Sequence, residues 1–436
     1  MTEDFLYYVW KLQYFDKINL KILTGQSLCV IKPGIRNENS GPDFLHSSIL
    51  IDGIEWHGQV EIHVNASDWY LHNHQNDKNY ENVVLHVVWN SDCEVKHSIG
   101  TLIPTIELKN KVSLDLYSKY ENLVSCSTSV PCANHLSTVS NITKMSMLDR
   151  VFFQRLTNKN SLVFSFLSNN RGDWNETAYQ LLAHNFGFGL NSLVFLNLAV
   201  SLPFKILVKC STDLLQIESL LFGQSGLIDC ESYLEAPFYE EEYLTELKKM
   251  YKYLSHKFEL SPKIKQHQWK FFRLRPNNFP TIRIAQFAKI VSDISDIFDF
   301  LVNTPLKTFY KQMAVKPSKY WQNHYILGAK SKAFTTSLGR DAINGILINT
   351  VAPLLVAYGK VKDEQVYINR AVEMLQNIPA EQNKITRFWK SVGLNPMNAF
   401  NSQAFIELFN NFCSKKLCLS CSIGIEIMGN KNRVKI

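Results

Sequence analysis

Between Asn39 and Asp92 the chain gathers Asp43, Glu61, His63, Asp68, His72, His74, Asp77 and His86, in the segments GPDF (41–44), VEIHV (60–64), SDWYLHNHQND (67–77) and VVLHVVW (83–89). A carboxylate or imidazole set among valines and isoleucines costs desolvation free energy unless something pairs with it, so this pattern points to a site, and to a metal ion as its partner. Glu61 and His63 are two apart in a strand-like run and share a face, while Val60, Ile62 and Val64 face the other way. Asp43 follows Gly-Pro and should enter its strand from a sharp bend. Carboxylates from two adjacent strands make a hard-cation site of the kind Mg²⁺ or Mn²⁺ takes, and His63 has a pKa suited to a general base or ligand. Asp43, Glu61 and His63 are therefore the expected catalytic residues.

A second constellation is His72-Asn73-His74 with Asp77 nearby. In an extended segment alternate residues point the same way, so the two histidines and the aspartate would suit Zn²⁺ or Mn²⁺; on a helix they would diverge. His86, between Leu85 and Val87, either completes that ligand set or is a satisfied core histidine. Trp56, Trp69 and Trp89 are expected to pack around the site.

Two features lie outside this cluster. Cys413, Cys418 and Cys421 form C-x4-C-x2-C in a lysine-bearing context, a spacing that suits Zn²⁺ or an iron–sulfur cluster once a fourth ligand is supplied; free thiols are the plain alternative. Cys126, Cys132, Cys210 and Cys230 are all remote in sequence, and none stands out as that ligand. The run WKFFRLRPNNFPTIR (269–283) interleaves Lys270, Arg273, Arg275 and Arg283 with aromatics ahead of an amphipathic helix, a candidate contact for nucleic-acid phosphates; the alternative is arginines that cross-link helices. The glycine-rich stretches at 185–191 and 221–227 match no nucleotide-binding fingerprint and read as helix ends.

The elements that must position these groups follow from periodicity. A first helix over about 1–20 carries Phe5, Leu6, Val9, Trp10, Leu12 and Phe15 on one face. Strands are expected at Leu28–Lys32, Phe44–Ile51, Gln59–Val64, Val83–Trp89 and Thr101–Leu108, with a helical or loop crossover over Ser67–Asn82. That order predicts an α+β domain over 1–110 built on a mixed β-sheet with a flanking helix. Residues 111–145, rich in serine and asparagine, read as a linker, and 146–436 as a large, mainly α-helical, basic domain ending in the cysteine cluster.

Charge divides the same way. Residues 1–110 hold 8 Lys/Arg against 14 Asp/Glu, a net of −6, and the rest hold 38 against 25, a net of +13. An acidic site beside a basic body is what a cation-dependent enzyme on a polyanion needs, and a solvated lysine-rich surface is the simpler account. Nine cysteines scattered over 436 residues argue against a secreted disulfide framework, and the N-terminus reads as an amphipathic helix, so a cytoplasmic protein is expected. The apolar runs Leu193–Val208 and Ile343–Tyr358 fall short of a bilayer span of roughly 20 residues and read as buried helices, with no membrane partner.

Two resemblances bear on this reading. NENSGPDF, GQVEIHVNASDWYLHNH, YENVVLHVVW, LLFGQSGL, RLRPNNFPTIRIAQFA and the terminal CxxxxCLSCSIG strongly resemble, over nearly the whole chain, a bacterial family known as domain of unknown function 2851, which implies a grouping without an activity. Pro42-Asp43 followed by Glu61-Ile62-His63 resembles the restriction-endonuclease-like PD-(D/E)XK phosphodiesterases over residues 1–110, with histidine where that family has the lysine that orients or deprotonates the attacking water. The leading expectation is a metal-dependent, nuclease-like phosphodiesterase; the alternatives are a non-enzymatic binding or scaffold protein, in which the cluster only stabilises the fold, and a zinc-dependent small-molecule hydrolase using His72, His74 and His86.

Overall fold

The structure, a computed structural model, describes residues 1–37, 39–228 and 242–429, and Cys230 lies outside them. The chain divides into two compact units, Met1–Leu148 with Glu407–Ile436, and Asp149–Ile406.

The first unit opens with helix α1 (Glu3–Leu12). The Thr2 hydroxyl accepts from the Phe5 N–H, and Glu3 and Asp4 complement the positive helix end. The helix stops well short of residue 20 because Gln13 turns left-handed (φ 53°). Its face of Phe5, Leu6, Tyr8, Val9 and Trp10 is buried.

Six strands follow: β1 (Leu28–Lys32), β2 (Ile35–Arg36), β3 (Phe44–Ile51), β4 (Ile54–Asn65), β5 (Val83–Asn90) and β6 (Thr105–Glu107). Their order is β1-β3-β4-β5-β6, with β2 paired to the start of β3. β1, β3 and β4 pair antiparallel, and β4-β5 and β5-β6 parallel, so the sheet is mixed as expected. A parallel β4-β5 pair cannot be closed by a tight turn, and residues 66–82 supply the crossover that carries the histidines. At Gly58 a Cβ would meet Val84 Cγ1 at 2.4 Å and the Asn82 carbonyl at 2.6 Å, so only glycine lets β4 come this close to the start of β5. Beneath the crossover Ala66, Trp69, Tyr80, Val83, Val88, Val95 and Ile103 form a buried cluster. Each large side chain fully buried there contributes roughly 1.5–3 kcal/mol. β2, only two residues long, has no signal in the alternation pattern.

The stretch 111–145, expected as a linker, belongs to the first unit. Helix α3 (Leu114–Ser125), the next after the short crossover helix α2 (Asp68–Leu71), buries Leu116, Tyr120 and Leu123. Tyr120 stacks on Phe5 at 4.9 Å and bonds the Thr2 hydroxyl at 3.0 Å. The polar residues that suggest a linker lie on the outer side of α3 and in the turns around it. The unit boundary instead falls inside the helix Asn141–Asn169, and the cysteine-bearing end of the chain returns to the first unit rather than closing the helical one.

The second unit is mainly helical, as the 3.6-residue period predicts. Asp173, Asp213 and Asp296 cap the helices Trp174–Phe186, Leu214–Gln224 and Ile297–Asn303 through their carboxylates. Tyr179, Phe186, Phe195 and Phe287 meet at its centre. The run at 193–208 breaks at Pro203 into Ser192–Ser201 and Phe204–Lys209, because proline cannot continue a helix. The other apolar run lies in a longer helix than expected, Arg340–Lys362, 23 residues with a π-turn at Leu347–Val351, and 78% of its apolar window is buried inside the protein. A short ribbon, His324–Ile326 with Ala329–Lys330, interrupts the helices and has no signal in the helical period of the sequence.

Candidate metal centre

β3, β4, β5 and the crossover bring the predicted residues together. Asp43 immediately precedes β3, and Phe44 pairs with Val60, so Asp43 stands beside Glu61 on β4. The two are tied reciprocally: the Asp43 N–H donates to Glu61 Oε2 at 3.0 Å, and the Ile62 N–H donates to Asp43 Oδ2 at 3.0 Å. Asp43 Oδ1 accepts from Arg36 Nη1 at 2.6 Å, and that guanidinium lies 3.6 Å from the Tyr7 ring centroid. Asp43 therefore has both oxygens engaged by protein donors, whereas Glu61 Oε1 faces the histidines.

Parallel pairing places His86 of β5 opposite Glu61 and Val88 opposite His63. His63 is 1% exposed and His86 is fully buried. His63 Nδ1 lies 2.8 Å from His86 Nε2, and His63 Nε2 lies 3.2 Å from His72 Nδ1. Glu61 Oε1 is 3.6 Å from His63 Nε2 and 3.4 Å from His74 Nε2. Among the described residues, His63, His72 and His74 offer ligand atoms that all lie within 4.8 Å of one another.

The crossover achieves this without being extended. α2 ends at Leu71 with His72 as its C-terminal cap, Asn73 adopts the left-handed conformation (φ 60°), and His74 begins a 3₁₀ turn through Asn76. The single left-handed residue reverses the chain so that both flanking imidazoles point inward, and asparagine tolerates that conformation better than most. His74 stacks on Tyr80 at 3.8 Å and meets the Trp69 ring edge-on at 5.4 Å. His72 is exposed, so the cluster opens to solvent on that side.

Burial sets the protonation. It pushes His63 down to about 2, His74 to about 4 and His86 to about 3, neighbouring imidazoles adding to the effect, so all three rings are neutral at neutral pH. Burial also raises the carboxyls: Glu61 through desolvation and then the nearby Asp43, and Asp43 through desolvation that outweighs its Arg36 bond.

The remaining expected ligands lie elsewhere. Asp77 is exposed and caps the 3₁₀ turn Lys78–Tyr80 by accepting from the Asn79 N–H at 2.9 Å. His86 is not in the trio but holds His63. Of the three tryptophans only Trp69 packs on the cluster; Trp89 lies beside Tyr117, and Trp56 is 45% exposed. Arg36 and Tyr7 carried no motif that would have found them.

Cys413, Cys418 and Cys421 are buried in the first unit, and so is Cys132. In the second unit Lys270, Arg273 and Arg275 are exposed. Arg283 is not available to a polyanion: its guanidinium donates to Asn278 Oδ1 at 2.6 Å and Gln286 Oε1 at 2.9 Å, lies 4.3 Å from the Phe188 ring centroid, and is pushed down to about 10 by burial. Both hydrogen-bond partners are local, Gln286 on its own helix and Asn278 in the turn just before it.

A mixed-sheet unit carrying an imidazole–carboxylate cluster, with a helical unit inserted into its sequence, defines a two-unit α+β protein with a candidate metal centre. The chain belongs to the family described as protein of unknown function (DUF2851), whose model matches residues 3–384. No curated protein and no solved structure matches the chain, so the likeness to PD-(D/E)XK phosphodiesterases rests on Pro42-Asp43 and Glu61-Ile62-His63 alone.

Proposed function

We propose that the N-terminal unit is a metal-dependent hydrolase centre in which His63, His72 and His74 hold a divalent transition metal such as Zn²⁺ or Mn²⁺. The observation that carries this reading is the convergence of three imidazoles, whose ligand atoms lie within 4.8 Å of one another, with Glu61 Oε1 at 3.6 Å from His63 Nε2 and 3.4 Å from His74 Nε2. A divalent metal in such a set lowers the pKa of a coordinated water into the neutral range. Glu61 is placed to manage that proton, since the cation's charge would favour its ionised form. On this reading His86 Nε2, 2.8 Å from His63 Nδ1, fixes the His63 tautomer from behind by taking the Nδ1 proton and leaves His63 Nε2 for the metal. Asp43, held by Arg36 and the Ile62 N–H, positions Glu61 instead of serving as a ligand.

A second reading, a nuclease-like phosphodiesterase using Mg²⁺ or Mn²⁺ at Asp43 and Glu61 with His63 serving the water, draws support from the two carboxyls standing side by side on β3 and β4. The exposed Lys270, Arg273 and Arg275, beside an exposed Phe272, suit contact with nucleic-acid phosphates.

The test is metal titration of the wild-type chain and of His63→Ala, His74→Ala, Asp43→Asn and Glu61→Gln, read by calorimetry, followed by hydrolysis of phosphodiester and small ester substrates with the metal that binds. Tight Zn²⁺ or Mn²⁺ binding lost in the histidine variants supports the hydrolase. Weak Mg²⁺ or Mn²⁺ binding lost only in the carboxyl variants supports the phosphodiesterase. Absence of binding by any metal leaves a scaffold protein.

A further inference from the structure

Two segments that the metal centre leaves unused, the glycine-bearing stretch 185–191 and the arginine–aromatic run 269–283, are built into one cavity of the second unit. The Asn191 side chain ties them together: its Nδ2 donates to the Lys270 carbonyl at 3.0 Å, and its Oδ1 accepts from the Lys270 N–H at 2.9 Å. Trp269 meets Phe195 edge-on at 5.2 Å and donates its indole N–H to the Ser225 carbonyl at 2.8 Å. The cavity these segments help to line holds about 560 Å³, within the ~300–1,000 Å³ range of small-molecule sites.

Arg283, in the first turn of the helix Pro280–Asp293, lines this cavity with a guanidinium that neutral groups hold and none neutralises. Asn278 Oδ1 and Gln286 Oε1 accept from it, and Gln286 is itself fixed by donating to the Thr336 carbonyl at 2.8 Å. Arg283 Nε is buried without a hydrogen-bond partner among the described residues. Burial alone lowers the pKa of this group, with no carboxylate near enough to hold it up. Asp341, the one carboxylate on the lining among the described residues, is exposed and makes no ion pair with Arg283. A guanidinium drawn largely out of water without a counter-charge is costly, and an added anion relieves that cost. Backbone dipoles act in the same direction. The helices Pro280–Asp293 and Arg340–Lys362 both begin at the cavity, and neither Phe279 nor Gly339 supplies a side-chain cap, so first-turn N–H groups lack that acceptor. Phe188 is held left-handed at φ 44°, which bulky residues rarely adopt, with its ring centroid 4.3 Å from the Arg283 guanidinium. Together with Leu190 and Leu274 it gives the cavity an apolar wall.

We propose that this cavity binds a small organic anion, its carboxylate or phosphate head group against Arg283 and its apolar body against Phe188, Leu190 and Leu274. The head group supplies the counter-charge that Asn278 and Gln286 cannot, and a planar guanidinium suits either oxyanion. The volume and the apolar wall exceed what an inorganic ion would fill, so an organic body is part of the ligand. The site needs no metal and lies in a different unit from the histidine cluster.

The test is isothermal titration of the full chain with phenyl phosphate, benzoate, inorganic phosphate and uncharged benzamide, on wild type, Arg283→Gln, Ser337→Asp and His63→Ala/His74→Ala. Ser337 lies on the lining, so Ser337→Asp brings a competing carboxylate to the cavity and leaves Arg283 in place. Phenyl phosphate or benzoate is expected to bind wild type and the double histidine variant alike. Its affinity should fall by about ten-fold or more in Arg283→Gln and in Ser337→Asp, as the loss of a charge-assisted hydrogen bond entails. The tighter of the two anions identifies the head group. If thermal melting shows that Arg283→Gln does not fold, Ser337→Asp decides. The proposal is overturned if neither organic anion binds wild type, if binding is undiminished in the cavity variants, or if benzamide or inorganic phosphate binds as tightly as the organic anions. Binding lost in the double histidine variant assigns the anion to the metal centre and overturns it equally.

Discussion

His63 Nδ1 lies 2.8 Å from His86 Nε2, a contact between two buried rings on parallel neighbouring strands that leaves the opposite nitrogen of His63 facing His72, His74 and Glu61. An imidazole held this way presents one fixed tautomer to a metal, and its supporting partner matters nearly as much as the ligand. His86→Phe is therefore expected to leave the protein folded and to weaken metal affinity by about 10–100-fold, while His63→Ala abolishes binding; isothermal titration with Zn²⁺ and Mn²⁺ checks both.

Asn73 governs the same site through the backbone. Its left-handed turn makes His72 and His74 converge, so Asn73→Gly should preserve metal binding. A β-branched residue is strained there, and Asn73→Val should cost about 1–2 kcal/mol of stability and reduce metal affinity well beyond that of the glycine variant. Urea unfolding and titration of the two variants side by side separate the effects.

Acid should loosen the first unit. The folded-state pKa values of His63, His74 and His86 are depressed below the unfolded value of about 6.5, so the stability they contribute is present above that pH and is lost as pH falls toward 4 and below. The slope is up to about 1.4 kcal/mol per pH unit for each of His63 and His86, and smaller for the more accessible His74. The raised Glu61 carboxyl acts in the opposite sense and offsets one of these groups near neutral pH, so unfolding midpoints should fall between pH 6 and pH 5, and less steeply in His86→Phe.

Metal uptake should release a proton near neutral pH. Glu61 holds its proton because burial and Asp43 disfavour the charge, and a cation reverses that balance. Titrations in buffers of different ionisation enthalpy should show proton release at pH 7 that disappears in Glu61→Gln.

The second unit should respond to pH in the opposite sense. Glu218 is 1% exposed, and burial raises its pKa to about 7 although Tyr243 Oη donates to its Oε2 at 2.9 Å. A carboxyl raised in the folded state contributes stability below its unfolded pKa of about 4.5, and that stability is lost as pH rises through 7. The loss is about 3 kcal/mol in all. Glu218→Gln should remove this decline, seen as a flatter dependence of the unfolding midpoint between pH 4.5 and 8.

The sequence by itself determined much of the scaffold. The bounds of β1 and β3 match the strands read from alternation, as does the start of β5, and Glu61 and His63 share a face because the strand repeat is two residues. The helical character of the long second part followed equally from local periodicity. Tertiary structure decided the rest, because those relationships join residues with no local signature. Parallel pairing set His86 behind His63, one left-handed residue turned His72 and His74 inward, and Arg36 took the Asp43 carboxylate that spacing alone had assigned to a metal. The unit boundary depended on the chain end rejoining the first unit across a long insertion in the sequence. Local sequence fixes dihedrals and faces; which faces meet is settled by burial and by the pairing of polar groups once the chain is compact.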